Sequence, residues 1–314
     1  MKNFKVGLCF SKQFKGASPL SHIVIKRRVY IRLLELCKKE GWEVYVLTRK
    51  TYTGDGVFNG AWLFNKGKFR KINKPVKMDL VYDRSGGMNF PPKDDVSFKV
   101  VNNRDFKIIC WDKWKTYQEI GNYMPKTFWL GEFNNYRKIL AEIKTKNVVL
   151  KPRNGLKGSG IYIGLKKNIA GFISNPKKKY VAQEFVDTSG GITGITPGRH
   201  DLRVVVVNQT AVWCHVRVPS KNSYLANAAM GGILSEVDYN KVPLSIKKIV
   251  KAISSDFYSR FDNPVYSLDF GMQNDKPYIF EINDTIGFPK WEMKQRDVFL
   301  QGLVLNFKQK LHAK

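Results

Sequence analysis

Between Tyr266 and Asn283 two apolar, strand-like runs flank the polar pair Asn274-Asp275, and this stretch constrains the fold more than any other. A β-hairpin turning at that pair sets Asp269 opposite Glu281, or within one residue of it. Glu281 and Asn283 are two apart, so they share one face of their strand. Three hard oxygen donors meeting inside an apolar ribbon suit Mg²⁺ that also carries nucleotide phosphates, with Mn²⁺ as the alternative ion. The same oxygens also suit the polar outer face of an ordinary hairpin, so the rest of the chain decides between the two.

A chain of 314 residues can bury a sizeable core and is long enough for more than one domain. Hydrophobic residues make up 43% and aromatics 13%, which excludes a disordered chain. The cysteines, Cys9, Cys37, Cys110 and Cys214, form no close pair, and only His215 lies beside one of them. That pattern fits reduced thiols in a cytoplasmic protein better than disulfides or zinc. The N-terminus alternates charged and apolar residues, so it opens a strand rather than a signal peptide. No apolar run approaches the roughly 18 residues of a membrane span.

The net charge of +28 attracts anions, whether nucleotides, acidic peptides, nucleic acid or a lipid surface. The cations are spread along the chain, with small clusters at Lys26-Arg27-Arg28 and Lys177-Lys178-Lys179. Neither cluster interleaves aromatics as a single-strand nucleic-acid platform does, so a lysine-rich solvated surface explains the excess better than dedicated nucleic-acid recognition.

Along the chain, residues 6–10 read as a strand, 28–40 as a helix ended by Gly41, and 42–47 as a second strand. Residues 79–84 form another strand running into the loop 85–92, so residues 1–108 read as a small α/β domain; residues 54–74 read as a hairpin excursion. A second unit, residues 109–186, carries helices at 112–120 and 136–144 and strands at 148–151, 161–163 and 180–186. The third, residues 187–314, holds strands at 202–207 and 211–218, a helix at 244–261, the hairpin, and a basic helix at 294–310. Residues 189–198 are a glycine-rich insert, either a lid or plain linker.

The segment Lys151-Pro-Arg-Asn-Gly-Leu-Lys-Gly-Ser-Gly160 lies between two strands. Its glycines let backbone N–H groups turn onto a phosphate, and Lys151 supplies a point charge. It lacks the Gly-Lys-Ser/Thr helix start of a Walker A loop, and the following element reads as a strand rather than the helix of a Rossmann fingerprint. Residues 180–186 can offer backbone groups to an adenine edge, with Phe185 lining an apolar slot. Arg203 and Arg217 stand at strand ends, where arginines suit oxyanions.

In this order the elements resemble the ATP-grasp superfamily over roughly residues 108–290, most closely its RimK-like and YheC/YheD-type branches. The resemblance is carried by Asp112-Lys113 with Thr116, Met124-Pro125-Lys-Thr127, Lys151-Pro with Gly155, Gly158 and Gly160, Gln183-Glu184-Phe185-Val186, Asp201-Leu-Arg203, Arg217, Asn227 with Gly231-Gly232, Asp269, and Glu281-Ile-Asn283. It implies an ATP-grasp fold, α/β plus α+β: an N-terminal pre-ATP-grasp domain, then two lobes that sandwich ATP. Lys113 and Lys151 would hold phosphates, aided by Gly155, Gly158, Ser159 and Gly160. Gln183, Glu184, Phe185 and Val186 would form the adenine hinge, with Asp187 near the ribose. Asp269, Glu281 and Asn283 would bind Mg²⁺, while Arg203, Arg217 and Asn227 would stabilise the transferred phosphoryl group. Asp284, where the family often has a small residue, would add a ligand or face solvent.

The expected activity is ATP-dependent carboxylate–amine ligation through an acyl phosphate, on a small-molecule or peptide substrate, acidic if the basic excess is functional. Such chemistry relies on positioning and charge, which fits the lack of a Ser-His-Asp or Cys-His set. Two other classes remain open: a non-catalytic nucleotide-binding structural or coat-associated protein, and a basic nucleic-acid-binding module. Substrate identity and oligomeric state do not follow from the sequence.

Overall fold

The computed structural model describes residues 3–11, 18–87, 90–91, 97–131, 136–155, 159–172, 178–220, 223–224 and 232–313. Gly158, Lys177, Asn227, Gly231 and parts of the 85–92 loop lie outside these residues. Three sheets follow one another along the chain.

The first sheet has seven strands: β1 (Lys5–Phe10), β2 (Glu43–Thr48), β3 (Tyr52–Gly54), β4 (Val57–Asn65), β5 (Lys68–Lys77), β6 (Leu80–Asp83) and β7 (Lys99–Val101). β1 runs parallel to both β2 and β6, so the expected β-α-β unit forms around α1 (Arg27–Lys39). That helix buries Val29, Tyr30, Leu33, Leu34 and Cys37, one stripe at helical spacing. The excursion at residues 54–74 is the β4–β5 hairpin, turned at Lys66 and Gly67, both with positive φ.

The second sheet orders β10 (Tyr162–Leu165), β9 (Asn147–Pro152), β11 (Tyr180–Glu184) and β8 (Thr127–Gly131), flanked by α4 (Tyr136–Glu142). The third orders β14 (Ile233–Glu236), β13 (Thr210–Val218), β12 (Asp201–Val207), β15 (Tyr266–Gln273) and β16 (Lys276–Asn283), all antiparallel. The helices α5 (Leu244–Arg260) and α6 (Arg296–His312) pack on opposite faces of it.

One helix escaped the sequence reading. α2 (Arg104–Trp111) buries Phe106, Ile109 and Cys110, and the Asn103 side chain caps its first turn by accepting the Phe106 N–H. It runs through residue 108, so the change of unit drawn there falls inside a helix. With α3 (Lys113–Ile120) it packs on the third sheet rather than the second. The short strand β14, half exposed, also gave too weak a pattern to read.

The packing explains which parts hold the site rigid. One core runs from the first sheet through α1 and α6 to Val205, Val207, Trp213 and Val265 of the third sheet. The opposite face of the third sheet packs against α2, α3 and α5. The second sheet keeps a separate core around Leu130, Val148, Leu150 and Tyr180. Among the described residues no helix is long and apolar enough to cross a membrane, and all four cysteines are free and buried.

Candidate functional site

β15 and β16 join through Asn274 and Asp275, with φ of 50° and 60°, the two left-handed residues of a type I′ turn. From the turn, strict two-by-two pairing would set Asp269 against Phe280. A bulge at Phe280 shifts the register by one, so Asp269 pairs with Glu281 and Ser267 with Asn283. The bulge decides the chemistry: without it Glu281 would lie on the opposite face from Asp269. Gly271 makes room for it. A Cβ there would sit 2.1 Å from Phe280 Cζ and 2.8 Å from Thr188 Cγ2.

The pairing continues across the whole third sheet. Glu236, His215, Arg203, Asp269 and Glu281 form one transverse row, each from a different strand. Arg203 grips Asp269 with two 2.6 Å hydrogen bonds. Arg217 donates to Asp269 Oδ2 at 2.8 Å and also pairs with Asp201. Burial raises the Asp269 pKa, but Arg203 and Arg217 outweigh it and hold the carboxyl below the usual carboxylate range. Burial, then the Asp269 charge, push Asp201 upward against the same arginines. Burial, reinforced by Arg203 and Arg217, keeps His215 neutral, with its pKa well below the ordinary value.

Asp269 and Glu281 are hard donors of the kind Mg²⁺ takes, and the Asn283 amide lies within 3.3 Å of Asp269 Oδ2. The Glu281 side chain has no hydrogen bond or ion pair among the described residues. Both oxygens of Asp269 are taken by arginine, so a cation entering here must share or displace those guanidinium groups. Among the described residues no three His, Cys, Asp or Glu side chains gather as a metal site, so the donor set is two carboxylates and one amide.

Facing this row across a cleft is the edge of the second sheet. Lys151, at the end of β9, donates to Gln183 Oε1 at 2.8 Å and to the bulged Phe280 carbonyl at 3.1 Å, tying the two lobes together. Gln183 in turn donates to Thr127. Lys113 begins α3, held there by the Asp112 cap, and donates to the Gly155 carbonyl at 3.0 Å. Burial pushes the Lys151 ammonium down to about 8, with Glu281 opposing and Lys113 reinforcing the shift. Burial lowers Lys113 too, against Glu281 and Asp112.

The cleft encloses about 1040 Å³, counting space open to solvent, and is lined by Lys113, Lys151, Gly155, Ser159, Gln183, Glu184, Phe185, Val186, Asp269 and Glu281 from the sequence reading. Among the described residues nothing takes the Val186 N–H, whereas the Phe185 N–H is already donated to Thr145. Gly160, Asp187, Arg203, Arg217 and Asn283 do not line it. Asp187 accepts the Ser189 N–H instead. Gly158 and Asn227 lie outside the described residues. Asp284 neither faces solvent freely nor joins the donor set: it pairs with Lys107 at 2.9 Å, and Lys107 also pairs with Asp83 at 3.0 Å.

Several lining residues had no role assigned to them in the sequence: Thr188, Arg199, His200, Asp201, Tyr224 and Phe280. Arg199 lies 4.5 Å from the Tyr224 ring, and Tyr224 stands edge-on to Phe185 at 5.3 Å. The Nδ1 of His200 lies 2.9 Å from the Gly198 carbonyl and its Nε2 accepts the Met272 N–H, which fixes the tautomer as Nδ1–H. The insert 189–198 that precedes it is anchored, with Ile192 buried in the third-sheet core and bridged to Thr196. No local pattern marked Arg199 and His200, which the long 189–198 excursion returns to the cleft.

A family model described as an ATP-grasp domain matches residues 110–287. The VanG D-Ala:D-Ser ligase from Enterococcus faecalis is 14% identical, covering 99% of this chain and 98% of its own at a TM-score of 0.63. A RimK domain ATP-grasp protein from Sphaerobacter thermophilus is 15% identical, covering 96% and 98% at 0.61. The ATP-grasp ligase PsnB, solved with a precursor variant, Mg and ADP, is 12% identical over 97% and 99% at 0.58. No curated protein matches the chain in sequence. The chain belongs to the ATP-grasp family, a family of ATP- and Mg²⁺-binding ligases, and has its fold.

Proposed function

We propose that the chain is an ATP-dependent carboxylate–amine ligase that forms an amide through an acyl phosphate. One observation carries this reading: Lys113 from the start of α3, Lys151 from the second sheet, and Asp269 and Glu281 from the third converge on a single cleft. In this reading residues 1–108 are the pre-ATP-grasp domain, and 109–186 and 187–314 are the lobes that close on ATP.

Lys113 and Lys151 neutralise the nucleotide phosphates, with Gly155 and Ser159 lining the cleft beside them, and the family resemblance assigns Gly158 and Gly160 to the same phosphate loop. Gln183, Glu184, Phe185 and Val186 receive adenine, the Val186 N–H, without a partner among the described residues, being the donor on offer; Asp187, which does not line the cleft, is the weaker candidate for the ribose. Asp269, Glu281 and Asn283 would hold Mg²⁺, or Mn²⁺ in its place, which supplies charge neutralisation between the phosphates. Arg203 and Arg217, released in part from Asp269, steady the transferred phosphoryl group, a role the family resemblance extends to Asn227.

A substrate carboxylate oxygen attacks the γ-phosphorus, forming the C–O–P link as the bond to ADP breaks. An amine then attacks the acyl carbon; the C–N bond forms, phosphate leaves with the C–O bond's electrons, and the amine gives up a proton. Positioning and charge suffice, so no protein nucleophile is required. The net charge of +28 supports a small-molecule or peptide substrate of acidic character, and the four free, buried cysteines support a cytoplasmic setting.

The test is ADP formation with Mg²⁺ and ATP across pooled amino acids and peptides, with mass spectrometry of the products. Acceptor-dependent ADP and a product lighter than its two parts by one water are expected. ADP formation in none of the pools would overturn the ligase in favour of a nucleotide-binding structural protein. Salt-steep nucleic-acid affinity, indifferent to Lys151→Ala, would favour the basic module.

A further inference from the structure

At the seam between the first and third sheets lies a group of cations that do not line the nucleotide cleft. Arg84, just after β6, reaches across the seam between the first and third sheets and donates to the Ile286 carbonyl at 2.5 Å. Its other partners are the Tyr30 and Tyr82 hydroxyls, at 3.4 and 3.3 Å. All three are neutral, and among the described residues its buried Nε has no partner. The stacked Tyr30 and Phe288 rings hold the guanidinium in place.

Lys26, immediately before α1, enters the same seam from the other side. A Cβ added to exposed Gly287 would lie 3.6 Å from its Nζ, so the ammonium hangs over the Ile286-Gly287 backbone that Arg84 also contacts. Burial drives Lys26 down to about 8, and Arg84, Lys290 and Arg203 push it the same way. Lys26, Arg84 and Lys290 form no ion pair among the described residues. Among the described residues the buried or half-buried carboxylates nearby are committed, Asp83 and Asp284 to Lys107 and Asp269 to Arg203 and Arg217, while Glu292, near Lys290, is exposed.

Three unpaired cations, two of them drawn out of water beside a fourth, repel one another, and an anion relieves that repulsion. We propose that the seam formed by Lys26, Arg84 and Lys290 is a binding subsite for additional carboxylates of the substrate, adjoining the Arg203–Asp269 row where its reacting carboxylate is activated. The ligand class is a polycarboxylate such as the acidic end of a peptide. That it is the substrate rests on the ligase reading; that the seam binds carboxylates does not.

The test uses the full chain with ADP and Mg²⁺ present, titrated calorimetrically with a tripeptide of three aspartates or of three asparagines. The aspartate peptide is expected to bind at least about tenfold more tightly. Lys26→Gln and Lys290→Gln should each erase most of that preference, Lys26→Arg should restore it, and ADP affinity should stay unchanged in all three. Lys71→Gln and Lys74→Gln, exposed cations on the distant β5, serve as controls and should change nothing. Equal affinity for the two peptides, undiminished binding in the seam variants, or an equal loss in the β5 variants would overturn the proposal. Loss of ADP affinity in Lys26→Gln would also overturn it, assigning the seam to the nucleotide. Absent ligation with intact peptide binding would sink only the ligase reading.

Discussion

Asp269 and Glu281 face each other as a pair, yet the fold treats them differently, and Asp269→Asn and Glu281→Gln separate the two roles. Asp269 is buried, 3% exposed at its side chain, and takes hydrogen bonds from Arg203 at 2.6 Å twice and from Arg217 at 2.8 Å. Replacing its carboxylate by an amide leaves Arg203 at 15% exposure without a counter-charge and Arg217, at 7%, with Asp201 alone. Breaking a buried pair from one side costs about 3–5 kcal/mol, a large part of the roughly 5–15 kcal/mol that keeps a domain folded. Asp269→Asn should therefore lower the thermal midpoint by about 4–8 °C as well as abolish turnover. Among the described residues Glu281 bonds to no side chain, so Glu281→Gln should abolish turnover while moving the midpoint by less than about 2 °C. Calorimetric scans alongside ADP release read both effects. An Asp269→Asn midpoint within 2 °C, about the noise of a neutral surface change, would refute the ion-pair row as a structural element. A full-rate Glu281→Gln would refute its place in the metal site.

Other outcomes follow from the same geometry. Gly271→Ala drives a methyl into the Phe280 ring at 2.1 Å; overpacking of about 1–3 kcal/mol, relieved by moving Phe280 into the cleft, should weaken ATP binding roughly five- to 150-fold in a direct titration, and unchanged affinity would show the ring moves elsewhere. Lys151 has its pKa lowered to about 8, so its charge is present below that pH and lost above it. ATP affinity should be flat near neutral pH and fall by up to about tenfold per unit above pH 8, and Lys151→Met should remove that slope; a flat wild-type profile would contradict the assignment. Folding stability responds with the opposite sign. Between about 8 and 10.5 the unfolded chain binds the Lys151 proton and the native chain does not, so this group's burial penalty disappears as pH rises. Phe185→Ala should weaken ATP through lost stacking in the slot but leave tri-aspartate binding intact, and a parallel loss of both would merge the two sites.

Much of this arrangement was legible because it is local. The Asn274-Asp275 turn, the stripe of α1 and the four-valine run of β12 each announce their element within a dozen residues. The family order of short segments then brought Lys113, Lys151, Asp269 and Glu281 to one cleft. What stayed hidden depends on pairings distant in sequence. The Phe280 bulge, which turns Glu281 toward Asp269, leaves no mark in an alternating strand. Asp284 reads as a spare ligand until Lys107, far upstream, is seen beside it. Arg199, His200 and Tyr224 reach the cleft by loop excursions with no periodicity, and Arg84 becomes a buried cation only once β6 meets the segment after β16.

Anomalous diffraction from crystals grown with Mn²⁺ and a non-hydrolysable ATP analogue tests the central claim most directly. The account predicts a Mn²⁺ peak in contact with oxygens of Asp269, Glu281 and Asn283, and phosphates within hydrogen-bond reach of Lys113 and Lys151. A peak elsewhere, or phosphates seated away from both lysines, would contradict it.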